Sequence, residues 1–92
     1  MTKIYVVQGS TGEYSGHIEW LVCAFQDQDK AKSLVEYLSM LARHAMQECE
    51  TAGLEYHWDE QPSGKMLRLA DPNACIDYTG INYEVIEVEL CQ

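Results

Sequence analysis

The sequence predicts an α+β fold, a two-layer sandwich in which one long amphipathic helix lies on a three-stranded, mainly antiparallel sheet. Three observations support this prediction. Two β-rich segments near the start are separated by glycines, a long stretch with helical spacing follows, and an alternating segment ends the chain. We predict the order β-β-α-irregular-β in a single domain, residues 1–92, because a chain of 92 residues supports one hydrophobic core.

The first two strands are predicted over Lys3–Gln8 and His17–Phe25, which are rich in β-branched and aromatic residues. Eight residues that include three glycines separate them, which indicates a hairpin with an extended loop. Alternation in HIEWLVCAF leaves apolar residues on both faces of the second strand. We expect the helix to cover the face with Trp20. The later chain or a second subunit is expected to cover the face with Leu21, Cys23 and Phe25.

The helix is predicted from an N-cap at Asp27 to a stop at Gly53. Its apolar positions recur at spacings of three and four, which is typical of one helix face against a core. These positions are Ala31, Leu34, Val35, Leu38, Leu41, Ala42, Ala45 and Cys49.

Residues 54–82 are predicted to be irregular, because turn-forming residues interrupt every periodic pattern there. The third strand is predicted over Tyr83–Leu90, with Ile86, Val88 and Leu90 inward and Glu87 and Glu89 outward. Strand order stays open. If the helix returns the chain to the loop end of the hairpin, the third strand begins there and brings the two turn-rich loops together.

The segment GSTG, residues 9–12, raises the question of a phosphate-binding loop. Such a loop precedes a helix, whose free amide groups hold the anion, whereas a strand follows here and Glu13 adds negative charge. The glycines therefore fit a hairpin turn better. Loops 9–16 and 71–80 remain candidates for binding a small molecule or nucleotide, since they supply hydroxyl groups. The candidate residues are Ser10, Thr11, Tyr14, Tyr78 and Thr79.

The formal charge of −9 is uneven, because residues 47–92 carry ten acidic and two basic residues. Direct binding to nucleic acid is disfavoured, since that affinity depends on lysine and arginine. A host protein with a basic surface is the complementary partner. The candidate partner-binding residues are Glu48, Glu50, Glu55, Asp59, Glu60, Glu84, Glu87 and Glu89. The simpler alternative is that the acidity only maintains solubility.

Catalytic and metal-binding patterns are weak in this chain. The four cysteines form no C-x-x-C pair, and no histidine has the spacing of a zinc site, so we expect reduced thiols, no metal and no cofactor. No signal peptide or membrane interaction is expected, which indicates a cytoplasmic protein. An enzyme that uses Cys75, in a turn-rich segment, is a residual alternative.

The loop motif GSTGEYSG between the two strands, the amphipathic helix, and DP and DYTG before YEVIEVEL together resemble a family of short accessory proteins of tailed bacteriophages and prophages. The resemblance covers about half of the chain, and residues 44–70 lie outside it. It implies action inside an infected bacterium and supplies no catalytic residues.

The leading hypothesis is a non-enzymatic, anti-CRISPR-like protein that binds and inhibits a nucleic-acid-handling host complex. A nucleotide-sequestering protein is the alternative, and a homodimer is compatible with either.

Overall fold

The secondary structure of this computed structural model covers residues 2–12, 17–53, 58–75 and 80–90, which are the residues described below. The elements are β1 (Thr2–Thr11), β2 (Ile18–Phe25), α1 (Gln28–Ala52), a 3₁₀ turn (Trp58–Glu60), α2 (Pro62–Ala70) and β3 (Ile81–Leu90). The α+β prediction, with a three-stranded antiparallel sheet and one long helix, is confirmed. A second, shorter helix, α2, lies in the span that was predicted to be irregular.

The sheet has the order β2-β1-β3, with both neighbours antiparallel to the central strand. β1 continues three residues beyond the predicted end at Gln8, and β3 begins two residues before the predicted start at Tyr83. Thr11 pairs with both Ile18 and Ile81, so the hairpin end and the start of β3 lie at the same end of the sheet. The two turn-rich segments, residues 9–16 and 71–80, were predicted to lie side by side, and this prediction holds for the ends of the segments that the structure describes.

Helix α1 begins and ends where its capping residues predict. The Asp27 side chain accepts a hydrogen bond from the Asp29 backbone N–H at 2.9 Å, which satisfies one of the free amides of the first turn. Gly53 has φ 68°, and its N–H reaches the carbonyls of Cys49 and Glu50. A left-handed backbone at this position favours glycine and stops the helix.

Helix α2 is held by contacts with its neighbours more than by its own sequence pattern. Pro62 stands in its first turn, where a missing N–H has no cost, but only Gly64 and Leu67 are buried. The side chain of Glu48 in α1 accepts hydrogen bonds from the Ser63 backbone N–H at 3.2 Å and from its hydroxyl at 3.1 Å. The Arg68 guanidinium lies 5.0 Å from the centre of the Trp58 ring. These tertiary contacts explain why periodicity alone did not reveal α2.

The core lies between α1, α2 and one face of the sheet, which we call the helix face. Its β1 positions are Tyr5, Val7, Gly9 and Thr11, and Val7 is completely buried. Residues that pair directly across strands share a face. The fully buried side chains opposite include Leu38 of α1 and Leu67 of α2.

A β-bulge changes the predicted orientation of β2. Val7 pairs with Cys23 and Gln8 pairs with Leu21, so Val22 is the extra residue and the alternation shifts at this point. Trp20, Cys23 and Phe25 consequently share the helix face, and Leu21 points the other way. The predicted grouping of Leu21 with Cys23 and Phe25 was therefore wrong.

The predicted orientation of β3 was also wrong. Glu87 pairs with Tyr5 and Glu89 pairs with Lys3, which places both glutamates on the helix face. Ile86, Val88 and Leu90 lie on the opposite face, which we call the open face, and each is at least 36% exposed. The alternation was recognised correctly, but an alternating pattern does not say which of its faces the helix covers.

Candidate functional site

A buried carboxylate joins the two outer strands to the segment that follows α2. Asp71 is 1% exposed, and its Oδ2 accepts hydrogen bonds from Trp20 Nε1 and from the Tyr83 hydroxyl, each at 2.8 Å. Its Oδ1 accepts a third, longer bond from the Asn73 backbone N–H at 3.3 Å. We call Trp20, Asp71 and Tyr83 the aspartate cluster.

The central strand makes room for this cluster by lacking a side chain. Gly9 of β1 pairs with Trp20 on one side and with Tyr83 on the other. A Cβ atom at Gly9 would lie 2.5 Å from the Trp20 ring, so the indole rests directly on the strand. The Trp20 and Tyr83 rings meet edge to face, with 6.4 Å between their centroids.

The cluster changes the acidity of two neighbouring groups. Burial, then the hydrogen bond to Asp71 and the charge of that carboxylate, raise the pKa of Tyr83 well above the ordinary tyrosine range. Burial, then the same charge, raise the pKa of the Cys23 thiol. Both groups are therefore held in their neutral, proton-bearing forms. A phenol and a thiol in these forms are poor nucleophiles, and the cluster acts chemically as a fixed set of hydrogen bonds.

The predicted acidic residues do not form one continuous surface. Glu48 is half-buried, and its carboxylate accepts hydrogen bonds from the backbone N–H and the hydroxyl of Ser63. We define the helix-end acidic surface as Glu50, Asp59 and Glu60, which are all exposed near the end of α1 and the 3₁₀ turn. We define the strand acidic surface as Glu84, Glu87 and Glu89, which are exposed along β3, with Glu87 and Glu89 on the helix face and Glu84 on the open face. Glu55 lies outside the described residues.

The two acidic surfaces lie toward opposite ends of the molecule. Helix α1 starts just after Phe25, which pairs with Tyr5, and Tyr5 pairs with Glu87. The part of α1 between Val35 and Gln47 lines a groove together with Gly80, Ile81 and Asn82, at the other end of β3. The strand acidic surface is interrupted by one basic residue, Lys3, whose Nζ lies 3.6 Å from Glu87 Oε1.

The candidate ligand residues are only partly described. Ser10 and Thr11 lie in β1 instead of the predicted loop and point to opposite sheet faces, because they are adjacent in a strand. The buried Thr11 hydroxyl donates a hydrogen bond to the Gly80 carbonyl, which ties the hairpin to the start of β3. Tyr14, Tyr78 and Thr79 lie outside the described residues. The nearby groove between α1 and β3 is lined by Glu36, Arg43 and Asn82, among others.

The candidate groups for catalysis and metal binding are dispersed. Cys75 is exposed and Cys49 is buried, and both are free thiols. His17 has its ring nitrogens 3.0 Å from Glu19 Oε1 and 3.2 Å from the Gly12 carbonyl oxygen, and these two hydrogen bonds, the one with Glu19 first, raise the pKa of His17. Within residues 2–12, 17–53, 58–75 and 80–90, no three histidine, cysteine or acidic side chains are grouped for a metal ion. None of the helices in this part of the chain has the length and apolarity required to cross a bilayer.

Sequence reasoning missed the aspartate cluster, because Trp20 and Asp71 are 51 positions apart. One local signal was present. Asp71 directly precedes Pro72 at the end of a helix, and an aspartate at such a turn commonly bonds to the backbone two residues ahead, as it does to Asn73.

Comparisons of the chain with models of protein families, with curated proteins and with solved structures found no match.

Proposed function

We propose that this chain is a non-enzymatic binding protein that inhibits a host protein with a basic surface, in the manner of an anti-CRISPR protein. The observation that carries the proposal is the strand acidic surface, Glu84, Glu87 and Glu89, on an outer strand of the sheet. A partner whose surface evolved to hold nucleic acid presents the lysine and arginine side chains that match it.

The strand acidic surface is a better candidate than the helix-end acidic surface. Beside the latter, α2 carries Lys65 and Arg68, and Arg68 stacks on Trp58 immediately before Asp59. On β3, by contrast, three glutamates accompany one basic residue, Lys3, which lies beside Glu87 and Glu89 on the helix face, while Glu84 lies on the open face. An outer strand also offers unpaired backbone groups along its free edge, so a partner segment can combine charge with hydrogen bonding there.

The resemblance to short accessory proteins of tailed phages supports an infected bacterium as the setting. A phage or plasmid challenge tests inhibition directly. Bacteria with active CRISPR–Cas systems of several types are challenged with and without expression of the chain, and we expect more plaques or transformants with expression for at least one type. Failure across the whole panel would remove the inhibitor proposal.

Charge variants test which acidic surface binds the partner. The triple variant E84Q/E87Q/E89Q removes the strand acidic surface, and E50Q/D59N/E60Q removes the helix-end surface. With about 1 kcal/mol for each exposed charge pair, loss of three pairs weakens binding roughly 100-fold. E19Q/D29N/E36Q is the matched control, since it removes three acidic charges elsewhere. Equal losses in all three variants would show that only net charge matters.

A second candidate function is the sequestration of a small nucleotide. The observation that favours it is the groove between α1 and β3, which has a volume of about 640 Å³, within the range typical of ligand sites. Arg43 supplies the groove with a positive charge that suits a phosphate. Calorimetric titration of a nucleotide panel tests this function, with Arg43→Ala as the variant expected to abolish the heat. The absence of binding heat for every nucleotide in the panel would eliminate this function.

A further inference from the structure

The last five residues of β3 are exposed on both faces of the sheet. Val85 is half-buried on the helix face, and burial ends there. Helix α1 explains the change, because its first residues follow Phe25 of β2 at this end of the sheet, and it lines a groove with Gly80, Ile81 and Asn82 at the other end. We call residues 86–90 the strand end. Its members are Ile86, Glu87, Val88, Glu89 and Leu90.

The strand end also has a free backbone edge. In the order β2-β1-β3, β3 pairs with β1 on one side, and no described strand pairs with it on the other. Every second residue of such an outer strand directs its N–H and C=O groups away from the sheet. Bulges, prolines and lysines commonly prevent outer strands from pairing further. The other outer strand, β2, has a bulge at Val22, whereas β3 contains none of these features from Ile81 to Leu90.

The side chains of the strand end alternate between two chemistries. Glu87 and Glu89 lie on the helix face, and Ile86, Val88 and Leu90 lie on the open face. Residues that are directly opposite each other on neighbouring strands share a face and interact. A strand added at the free edge would therefore place every second side chain beside a carboxylate and the intervening side chains beside an aliphatic group. The sequence that matches both rows is one in which basic and aliphatic residues alternate.

We propose that the strand end binds an extended segment of a partner protein, in which basic and aliphatic residues alternate, as a fourth strand of the sheet. This inference rests on the proposed function and specifies how the basic partner is bound. Backbone hydrogen bonds supply affinity in this mode of binding, and the alternating side chains select the sequence. Lys3, whose Nζ lies 3.6 Å from Glu87 Oε1, belongs to β1 and lies on the paired side of β3. The free edge therefore stays open to a basic segment.

A second copy of the chain fits the strand end less well than a basic segment does. Antiparallel pairing of two β3 strands centred on Val88 places Glu87 of each copy opposite Glu89 of the other. Pairing centred on Glu87 places the two Glu87 side chains opposite each other. Like charges that are directly opposite destabilise a sheet. The aliphatic row alone would accept an identical strand, and the two glutamates select against it.

Calorimetric titration of the intact chain with two synthetic peptides tests the inference. In the first peptide, of about seven residues or 23 Å, lysine and valine alternate; the second has the same composition with all its lysines first. We expect saturable binding of the alternating peptide and about tenfold weaker binding of the second, which loses cross-strand pairs. E87Q/E89Q should weaken binding of the alternating peptide roughly 30-fold, since two charge pairs are lost. D29N/E36Q is the matched control, because it removes two exposed acidic charges from α1, and it should bind like the wild type.

Amide hydrogen exchange, followed by nuclear magnetic resonance, distinguishes an added strand from charge attraction alone. The alternating peptide should slow the exchange of every second N–H in the strand end, because those groups point to the free edge and gain a partner. Equal binding of the two peptides would overturn the inference, and so would binding that slows none of these amides. A free chain whose mass is doubled, and which the peptide returns to a monomer, would assign the edge to a second copy instead.

The phage challenge separates failure of this inference from failure of the proposed function. If expression of the chain protects the phage and E87Q/E89Q abolishes that protection, but neither peptide binds, strand addition is wrong and the inhibitor proposal stands. If the alternating peptide binds and slows exchange in the strand end, but no CRISPR–Cas type is inhibited, the strand end is a binding site and the inhibitor proposal is wrong.

Discussion

Removing the Asp71 carboxylate should destabilise the fold severely, because two buried donors depend on it. In Asp71→Ala, Trp20 Nε1 and the Tyr83 hydroxyl both lose an acceptor at 2.8 Å. A buried donor left without a partner costs about 1–3 kcal/mol, so the expected loss in unfolding free energy is about 2–6 kcal/mol. A domain of 92 residues has a total stability of roughly 5–14 kcal/mol, so this variant approaches the threshold of folding.

Tyr83→Phe is a milder variant of the same cluster, and its change in unfolding free energy can be measured because Trp20 stays bonded to the Asp71 carboxylate. Its expected cost is about 1.5–3 kcal/mol, the range for a hydrogen bond to a charged group. In a chain that already carries Asp71→Ala, the Tyr83 hydroxyl is a buried donor without an acceptor, so its removal should cost nothing further and should recover part of the loss. The double-mutant cycle should therefore give a coupling energy of at least about 1.5–3 kcal/mol.

Urea unfolding followed by tryptophan fluorescence and by circular dichroism measures these energies. Tyr5→Phe is the matched control, since Tyr5 lies half-buried on the same sheet face and is expected to change stability by less than about 0.5 kcal/mol. Strict additivity of Asp71→Ala and Tyr83→Phe would refute the cluster as a cooperative unit. Equal losses in Tyr5→Phe and Tyr83→Phe would refute the importance of the Asp71 contact.

Three further predictions concern the aspartate cluster and the contact between α1 and α2. The stability that the Tyr83 hydroxyl contributes should be fully present below pH 10 and fall above it, because the raised pKa of Tyr83 lets the folded state keep a proton that the unfolded state releases. In urea titrations, the difference in unfolding free energy between wild type and Tyr83→Phe should therefore narrow above pH 10, and a constant difference would contradict this. Gly9→Ala should cost about 1–3 kcal/mol in thermal or urea unfolding, since its Cβ would lie 2.5 Å from the Trp20 ring, and a neutral result would mean that the indole moves freely. Glu48→Ala should cost about 1 kcal/mol by removing the acceptor for the Ser63 backbone N–H at the start of α2, whereas the exposed neighbour Glu50→Ala should be close to neutral.

Local signals in the sequence were sufficient for the largest elements. Helix α1 was predicted to its ends, because an aspartate that caps its first turn and a glycine that accepts a left-handed backbone both act within a few residues. Long-range features were not accessible in the same way. Helix α2 depends on Glu48 and Trp58, and its sequence PSGKMLRLA buries only two residues. The aspartate cluster requires three segments to meet, which no local pattern encodes.

The prediction of which faces β2 and β3 turn toward the helix was wrong for a different reason. The period of two in β3 was recognised, but a period has no direction until the position of the helix is known. In β2, the bulge at Val22 reversed the alternation halfway along the strand. Both errors concern the same surface, the open face. Ile86, Val88 and Leu90 were predicted to point into the core, whereas they are exposed on the open face and the helix covers the other side.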